Sequence, residues 1–300
     1  MSKLKPWLSA IRLRTLPLSV SGIIVGTCFA YYNGFFKISI FILAILTAFS
    51  FQILSNLAND YGDGIKGTDN ADRVGPERAV QSGAITPDQM FEGIKVNILI
   101  IILLVFLLIY SAFGKSHFLF TLIFIGLAGI SVYAAMSYTI GRKAYGYKGF
   151  GDIFVFIFFG LVSVIGSYFL YTRRLDHHVF LPAIAIGLLS VGVLNLNNMR
   201  DINSDKQSNK ITLAVVLGQK KAKMYHLFLI IGAIVISFLF AILYYSRVTD
   251  FLCFLAYIPL GLHIKTVIKA KHPSDYDPQL KILALTTFAF SLLLGIGYIL

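Results

Sequence analysis

The sequence predicts an all-helical integral membrane protein with one domain, residues 1–300, that crosses the bilayer nine times. Composition is the first reason: hydrophobic residues make up 57 % of the chain, charged residues 13 %, and the mean hydropathy is +0.78. Soluble domains have about a quarter charged residues. The second reason is a series of nine charge-free runs, eight of which reach or approach the roughly 20 residues that span a bilayer. The third is an unequal distribution of cations between successive loops.

The charge-free runs define the predicted helices in order. They are residues 15–36, 38–59, 96–114, 116–141, 153–172, 179–199, 224–246, 251–264 and 282–300. The eighth is short, and we expect it to span by continuing to Ala270, with Lys265 and Lys269 reaching back to the interface. The run after the basic N-terminus is too long for a cleavable signal, so the first helix is expected to stay in the mature protein.

Lysine and arginine predict the orientation. The N-terminal tail and the loops after helices 2, 4, 6 and 8 contain 21 of the 26 Lys and Arg residues. Because positively charged loops stay in the cytoplasm, we expect a cytoplasmic N-terminus and a C-terminus on the opposite side. The same distribution accounts for the net charge of +12 and argues against a nucleic-acid partner. No pattern predicts the oligomeric state.

Acidic residues concentrate where predicted helices 2 and 6 end. Seven of the fourteen lie between Asp60 and Glu92. Two stretches share the pattern Asn-x-x-x-Asp, and these are Asn59/Asp63 and Asn197/Asp201, with Asp205 one turn further on. Four membrane crossings separate the two stretches, and an even number returns the chain to the same side. The sequence therefore predicts two halves of one metal–phosphate site on the cytoplasmic face.

The residue types at these stretches suit magnesium and phosphate. Asparagine and aspartate four residues apart present two oxygen ligands on one helix face. Mg²⁺ prefers such oxygen ligands and is often completed by substrate phosphates. Basic residues suited to a diphosphate are Arg73, Arg78, Arg142, Lys143, Arg200 and Lys210. In a lipid-embedded cavity, this combination indicates an isoprenoid diphosphate substrate whose allylic fragment is captured by an electron-rich partner.

Other interpretations stay open for single residues and for the whole chain. Solvated turns explain Asp69, Asp72, Asp88 and Glu92 equally well when each is taken alone. Cys28, Cys253 and the six histidines lack metal-ligand spacing. A transporter is a distant alternative, because coupling acids normally lie near the bilayer midplane, whereas nearly all acids here lie at helix ends or in loops.

These motifs resemble those of the UbiA superfamily of intramembrane prenyltransferases. The family pattern N-D-x-x-D-x-x-x-D is present as Asn59-Asp60-x-x-Asp63, but Gly67 occupies its last position and the next acid is Asp69. The second pattern, D-x-x-x-D, is intact from Asp201 to Asp205. The displaced acid is similar to that of one branch, the 1,4-dihydroxy-2-naphthoate polyprenyltransferases of menaquinone synthesis.

Further segments between residues 12 and 218 resemble that branch in the same order. They are Arg14-Thr15-Leu16-Pro17, Asn56-Leu57-Ala58-Asn59, Arg73-x-Gly75-Pro76-x-Arg78, Tyr138-Thr139, Gly149-x-Gly151-Asp152, Asn197-Asn198-x-Arg200-Asp201 and Lys210-x-Thr212-Leu213-Ala214. Ordered matches of this kind are more specific than either aspartate motif alone. The last three predicted helices contain no recognised motif.

The resemblance implies nine helices around a central cavity, open laterally to lipid, under a cytoplasmic cap. It implies that Mg²⁺ is bound by Asn59, Asp60, Asp63, Asp201 and Asp205, of which Asp63, Asp201 and Asp205 are catalytic. It implies that substrate-binding residues are Asn56, Asp69, Arg73, Arg78, Arg142, Lys143, Asn197, Asn198 and Lys210, with the naphthoate near Arg14, Tyr138 and Asp152.

The implied reaction joins a polyprenyl group to 1,4-dihydroxy-2-naphthoate with loss of diphosphate and CO₂, giving a demethylmenaquinone. A menaquinone branch also implies a bacterial inner membrane. The alternative within the same fold is another aromatic acceptor, such as 4-hydroxybenzoate. The prenyl chain length and the number of Mg²⁺ ions stay open.

Overall fold

The computed structural model describes residues 4–70 and 73–300, so Asp72 lies outside the described residues. Within these two ranges, nine helices are long and apolar enough to cross a membrane, as predicted. We number them α1 to α9 in chain order: Leu4–Tyr32, Ile38–Ile65, Pro87–Phe113, Phe118–Ser137, Gly151–Thr172, His177–Arg200, Leu213–Tyr244, Val248–Lys269 and Pro273–Ile299. The chain is an all-helical membrane protein.

Several helices continue beyond the charge-free runs, and the predicted bounds are wrong there. Helix α2 ends at Ile65 instead of residue 59, and α7 begins at Leu213 instead of residue 224. Charged side chains are hydrated in the interfacial layer outside the hydrocarbon core, so a charge does not end a helix. The longer α2 places Asn59 and Asp63 on its last turns, with helical spacing.

The helices that follow the two acidic loops begin with threonine caps. Thr86 Oγ1 accepts the N–H of Gln89 at 3.2 Å, and Gln89 Oε1 accepts the N–H of Thr86 at 3.1 Å. Thr212 Oγ1 accepts the N–H of Val215 at 3.4 Å. Such caps pair N–H groups that the first helical turn leaves free. They fix where the loops carrying Arg78 and Lys210 end.

Helix α8 reaches across the membrane despite its short apolar run. Its first ten residues, Val248–Tyr257, form a 3₁₀ helix, and Ile258–Lys269 form an α-helix. At about 2.0 and 1.5 Å of rise per residue, the two parts extend roughly 38 Å, more than the roughly 30 Å hydrocarbon core. The length of α8 confirms the predicted crossing. Fewer residues are needed because a 3₁₀ helix rises further per residue than an α-helix does.

Helix α6 lies at the centre of the bundle, and α4 lies at its periphery. In the most apolar window of α6, 67 % of residues are buried, compared with 6 % for α4. Asn195 of α6 donates a side-chain N–H to the Ala222 carbonyl of α7 at 3.1 Å. Buried interhelical hydrogen bonds of this kind hold membrane helices together. The second aspartate motif is therefore attached to the most enclosed helix.

Helices α5 and α6 approach closely at two glycines. A Cβ on Gly160 would lie 2.6 Å from the Cα of Gly187 and 2.7 Å from the Ala183 carbonyl oxygen. Glycine is required because these neighbours are backbone atoms, which cannot rotate away.

Gly160→Ala is therefore expected to lower the free energy of unfolding by about 1–3 kcal/mol through overpacking. Thermal unfolding in detergent measures this as a lower Tm. Gly126→Ala in α4 is the matched control, because its Cβ meets no atom within 4 Å. Equal Tm values for the two variants would contradict the close α5–α6 approach.

Candidate active site

A cavity of about 420 Å³ extends into the bundle from the end where α2 and α6 finish, since its lining runs along α2 from Asn59, in the last turns, back to Ala44, near the first turns. Aromatic side chains, among them Phe124, Phe154 and Phe158, form part of its apolar wall. The charged and amide side chains that line it are Arg12, Arg14, Gln52, Asn56, Asn59, Asp63, Arg78, Asn197, Lys210, Asp277 and Lys281. The cavity therefore suits a ligand with a long apolar part and an anionic end.

Asp63 is the most connected acid in the cavity wall. Its carboxylate accepts hydrogen bonds from the Tyr147 hydroxyl at 2.8 Å, Arg78 Nη1 at 3.1 Å and Lys210 Nζ at 3.0 Å. The Asp63 residue is only 1 % exposed. The fold thus brings together three predicted site residues that are distant in the sequence, together with a tyrosine that was not predicted.

Asp69 lies behind Asp63 and joins two arginines. Its Oδ1 is 3.1 Å from Arg73 Nε and 3.2 Å from Arg78 Nε. Burial raises the pKa of Asp69 and lowers the pKa of Arg73. Arg73 Nη2 also lies 3.8 Å from Asp201 Oδ2. The first acidic stretch therefore contacts the second through Arg73.

Arg200 organises the second stretch. Its Nε donates to Asp201 Oδ1 at 2.9 Å and its Nη2 to Asp201 Oδ2 at 2.7 Å, a two-point contact. The same guanidinium bonds Asn197 Oδ1 at 2.9 Å and Asp277 Oδ1 at 2.6 Å. Although burial opposes it, Arg200 holds the pKa of Asp201 below its ordinary value. Arg200 is thus occupied by protein acceptors and does not line the cavity.

Asp205 and Lys210 complete the ion-pair network. Asp205, on the short helix Ile202–Gln207, places Oδ1 3.8 Å from Lys210 Nζ. Burial raises the pKa of Asp205 to about 7. Although burial opposes it, the Asp63 and Asp205 carboxylates raise the pKa of Lys210. Lys210 is therefore a stable cation between two acids.

Asp60 anchors the loop that carries Arg78. Its Oδ2 accepts the backbone N–H of Ala79 at 3.2 Å, and its Oδ1 accepts that of Val80 at 3.1 Å. Both carboxylate oxygens are thereby engaged by backbone. This geometry fits a residue that positions Arg78, and it places Asp60 outside the cavity wall.

Arg12 is a cavity residue that the sequence did not reveal. It has φ of 54°, a left-handed conformation rarely adopted by arginine. Its guanidinium lines the cavity, and its Nη2 is buried without a hydrogen-bond partner among the described residues. Asn56 fixes this segment by donating to the Ile11 carbonyl at 2.8 Å and to Thr15 Oγ1 at 3.1 Å. Backbone strain and a buried guanidinium nitrogen without a partner together indicate an anion-binding position.

Tyr147 is a second residue that was not predicted. It lies on a 3₁₀ turn, Tyr145–Lys148, and its hydroxyl is 2.6 Å from Thr68 Oγ1 as well as bonded to Asp63. Lys66 Nζ lies 4.2 Å from the centre of its ring. Burial, and then the Asp63 charge, raise the pKa of Tyr147, so the phenol stays a hydrogen-bond donor. No motif in the sequence distinguishes it from the many other tyrosines.

The remaining predicted residues fall into two groups. Four line the cavity, and they are Asn59, Asn197, Arg14 and Tyr138. Four do not, and they are Arg142, Lys143, Asn198 and Asp152. Arg142 and Lys143 are exposed in the loop after α4, whereas Asn198 and Asp152 are buried.

The donor set fits a hard cation in its chemistry. The Asn59 Oδ1 atom is buried without a hydrogen-bond partner in the described chain, and Asp63 and Asp205 approach the same lysine. Across residues 4–70 and 73–300, no three His, Cys, Asp or Glu side chains gather closely enough to hold a metal. The carboxylates are paired with arginine and lysine instead. Oxygen donors of this kind suit Mg²⁺.

Comparisons with known proteins identify the family of this chain. A sequence profile described as the UbiA prenyltransferase family matches residues 19–298. A 1,4-dihydroxy-2-naphthoate octaprenyltransferase from Escherichia coli is 42 % identical over 282 residues, covering 94 % of this chain and 91 % of the relative. One from Haemophilus influenzae is 39 % identical over 298 residues, covering 98 % and 96 %. A solved UbiA homolog from Archaeoglobus fulgidus bound to DMAPP and Mg²⁺ is 12 % identical with a TM-score of 0.57, covering 98 % and 99 %.

Proposed function

Because this chain belongs to the UbiA prenyltransferase family, we propose that it transfers a polyprenyl group from polyprenyl diphosphate to 1,4-dihydroxy-2-naphthoate. The products are a demethylmenaquinone, diphosphate and CO₂. The cavity is the observation that carries the proposal, because its apolar wall suits the prenyl chain and its cations suit the diphosphate. Relatives named for this activity match along nearly the whole chain.

At the donor, the allylic C–O bond breaks and its electron pair leaves with the diphosphate. Arg78 and Lys210 line the cavity and stabilise that developing charge. Arg73 lies behind them, 3.1 Å from Asp69, and supports the position of the same network. Exclusion of water by the apolar wall protects the allylic fragment from hydrolysis.

At the acceptor, the ring carbon that bears the carboxylate forms the new C–C bond. Loss of CO₂ then restores aromaticity, and the two ring hydroxyls make the ring electron-rich enough to need no strong protein base. Three lining cations, Arg12, Arg14 and Lys281, form no ion pair with an acid among the described residues. We assign the acceptor carboxylate to these cations, beside Tyr138.

Magnesium supplies charge neutralisation at the diphosphate when it is bound. The residues proposed to hold it are Asn59, Asp63, Asp201 and Asp205. Both oxygens of Asp60 already accept backbone N–H groups, so we assign Asp60 to loop anchoring. The Archaeoglobus homolog bound to DMAPP and Mg²⁺ supports a magnesium requirement.

The cation distribution supports a membrane orientation. The N-terminal tail and the loops on the side of the site contain 21 of the 26 Lys and Arg residues, which favours a cytoplasmic site. We assign the chain to a bacterial inner membrane, with its C-terminus on the opposite side. Cysteine-accessibility labelling in whole cells, with single cysteines placed in the loop after α6 and at the C-terminus, tests this assignment.

The transfer assay uses purified protein, radiolabelled allylic diphosphate, Mg²⁺ and carboxyl-labelled 1,4-dihydroxy-2-naphthoate. We expect a lipophilic labelled quinol and one labelled CO₂ per product, both abolished by EDTA. Product with 4-hydroxybenzoate alone would support the alternative acceptor and overturn the proposed one. No product with either acid would contradict aromatic prenyl transfer.

Magnesium affinity is expected to weaken at acidic pH. Asp205 has a pKa of about 7, so below that pH a proton occupies a carboxylate that Mg²⁺ needs in its charged form. When the pH falls from about 7.5 to about 6, competition between the proton and Mg²⁺ at this one carboxylate weakens the apparent Mg²⁺ affinity about eightfold. The measurement is the Mg²⁺ concentration that gives half-maximal thermal stabilisation in the presence of diphosphate. Asp205→Asn is expected to bind weakly at every pH, and an unchanged pH dependence in this variant would contradict the assignment to Asp205.

A further inference from the structure

A second opening lies at the end of the bundle where α2 and α6 finish, between the last turns of α8 and the start of α9. Its volume is about 460 Å³, and it shares no lining residue with the cavity. Its polar wall consists of Lys265, Thr266, Lys269, Asp275 and Gln279. We call it the α8–α9 cleft. It plays no part in the proposed reaction.

The cleft carries one excess positive charge. Lys265 and Lys269 are exposed, one helical turn apart on α8, and neither forms an ion pair with an acid in the described chain. Asp275 is the acid in the wall, and its Oδ2 already accepts the backbone N–H groups of Lys271 and His272, each at 2.9 Å. Two lysines and one aspartate leave a charge that a single phosphodiester neutralises.

Gln279 adds a fixed neutral donor. The residue is 7 % exposed, and its Oε1 lies 2.8 Å from His263 Nδ1, whose ring Nε2 lies 2.9 Å from His226 Nε2. An amide oxygen only accepts, so His263 Nδ1 holds the proton and its Nε2 accepts from His226. This series of hydrogen bonds leaves His226 Nδ1 without a partner, as observed among the described residues. The same hydrogen bonds hold the Gln279 amide in a fixed orientation beside the cleft.

Apolar side chains continue from the cleft toward the bilayer interior. Leu262 on α8 is 69 % exposed, and Ile282 and Leu285 on α9 are 37 % and 43 % exposed. Each lies deeper along its helix than the polar wall. A ligand with a phosphate and an acyl chain matches both regions, whereas a soluble anion matches only the first.

We propose that the α8–α9 cleft binds the headgroup of an anionic phospholipid. Lys265 and Lys269 bind the phosphodiester, Gln279 donates its amide N–H, and an acyl chain lies along Leu262 and Leu285. Basic pockets between helices at the membrane interface recognise such headgroups. Asp277, two residues before Gln279, accepts a hydrogen bond from the site residue Arg200, so the bound lipid steadies the helix end beside the active site.

Native mass spectrometry of the full chain with added phosphatidylglycerol or phosphatidylcholine tests the proposal. We expect phosphatidylglycerol to bind preferentially, and the double variant K265A/K269A to bind it about thirtyfold more weakly, the effect of losing two interfacial cations. K220A/K221A is the matched control, because these α7 lysines are exposed and lie outside the cleft. It is expected to bind like the unmodified protein.

Equal phosphatidylglycerol binding by K265A/K269A and the control would overturn the proposal. So would equal binding of phosphatidylcholine, or displacement of the lipid by millimolar inorganic phosphate. If K265A/K269A does not fold, K265Q/K269Q preserves side-chain length and is expected to show the same selective loss. These readouts do not depend on prenyl transfer, so they separate this inference from the proposed function.

Discussion

Asp63→Asn is expected to lower kcat about a thousandfold. This carboxylate would hold the Mg²⁺ that neutralises the leaving diphosphate, and it positions Arg78 and Lys210 beside it. The substitution removes the charge that Arg78 and Lys210 both contact, at 3.1 and 3.0 Å. An amide NH₂ at the position of Asp63 Oδ2 also cannot accept the hydrogen bonds that Arg78 and Lys210 donate there. Single-turnover transfer to 1,4-dihydroxy-2-naphthoate measures the chemical step, and size-exclusion chromatography confirms that the variant is folded.

Two matched variants make the Asp63 result specific. Glu92→Gln removes an exposed acid that forms an ion pair with Lys95, and this substitution is expected to leave kcat unchanged. Asp60→Asn removes the carboxylate that holds the backbone of Ala79 and Val80. It is expected to lower Tm and to reduce kcat less than Asp63→Asn does. A wild-type rate for Asp63→Asn would remove this residue from the catalytic site, and a larger kcat loss for Asp60→Asn would return Asp60 to the metal ligands.

Arg12→Gly is expected to change activity and stability in opposite directions. Loss of a charged contact raises KM for the aromatic acid about thirtyfold. The Tm of the substrate-free protein rises, because glycine adopts the left-handed conformation without strain and because the buried Nη2, which has no partner among the described residues, is removed. The measurements are initial rates at varied acid concentration and thermal unfolding of the same preparation.

Further variants separate the two causes at Arg12. Arg12→Ala loses the charge but retains a Cβ at φ of 54°. We therefore expect the same increase in KM as for Arg12→Gly, but a lower Tm. Arg12→Lys retains the charge and is expected to recover part of the acid affinity. An increase in KM for the diphosphate, with no change for the acid, would move Arg12 to the donor end of the cavity.

The sequence was sufficient for the architecture because the bilayer imposes local requirements. Each crossing needs about 20 apolar residues and internal backbone hydrogen bonds, so the number of spans is visible in hydropathy alone. The count of crossings then places Asn59/Asp63 and Asn197/Asp201 at the same end. Structure and comparisons confirm the helical class and the family, whereas the roles assigned to single residues stay predictions.

Only the tertiary structure decided which atoms meet. Hydropathy does not report that Tyr147 bonds Asp63, or that Arg12 Nη2 has no hydrogen-bond partner among the described residues. Nor does it report that Asp60 accepts backbone N–H groups and does not line the cavity. These contacts join segments separated by many residues, and their energies depend on burial and on which opposite charge lies nearest. The same holds for Gln279, whose amide is fixed by histidines from two other helices. The local hydropathy pattern therefore determines where the helices lie, whereas packing between distant segments determines which side chains meet in the site.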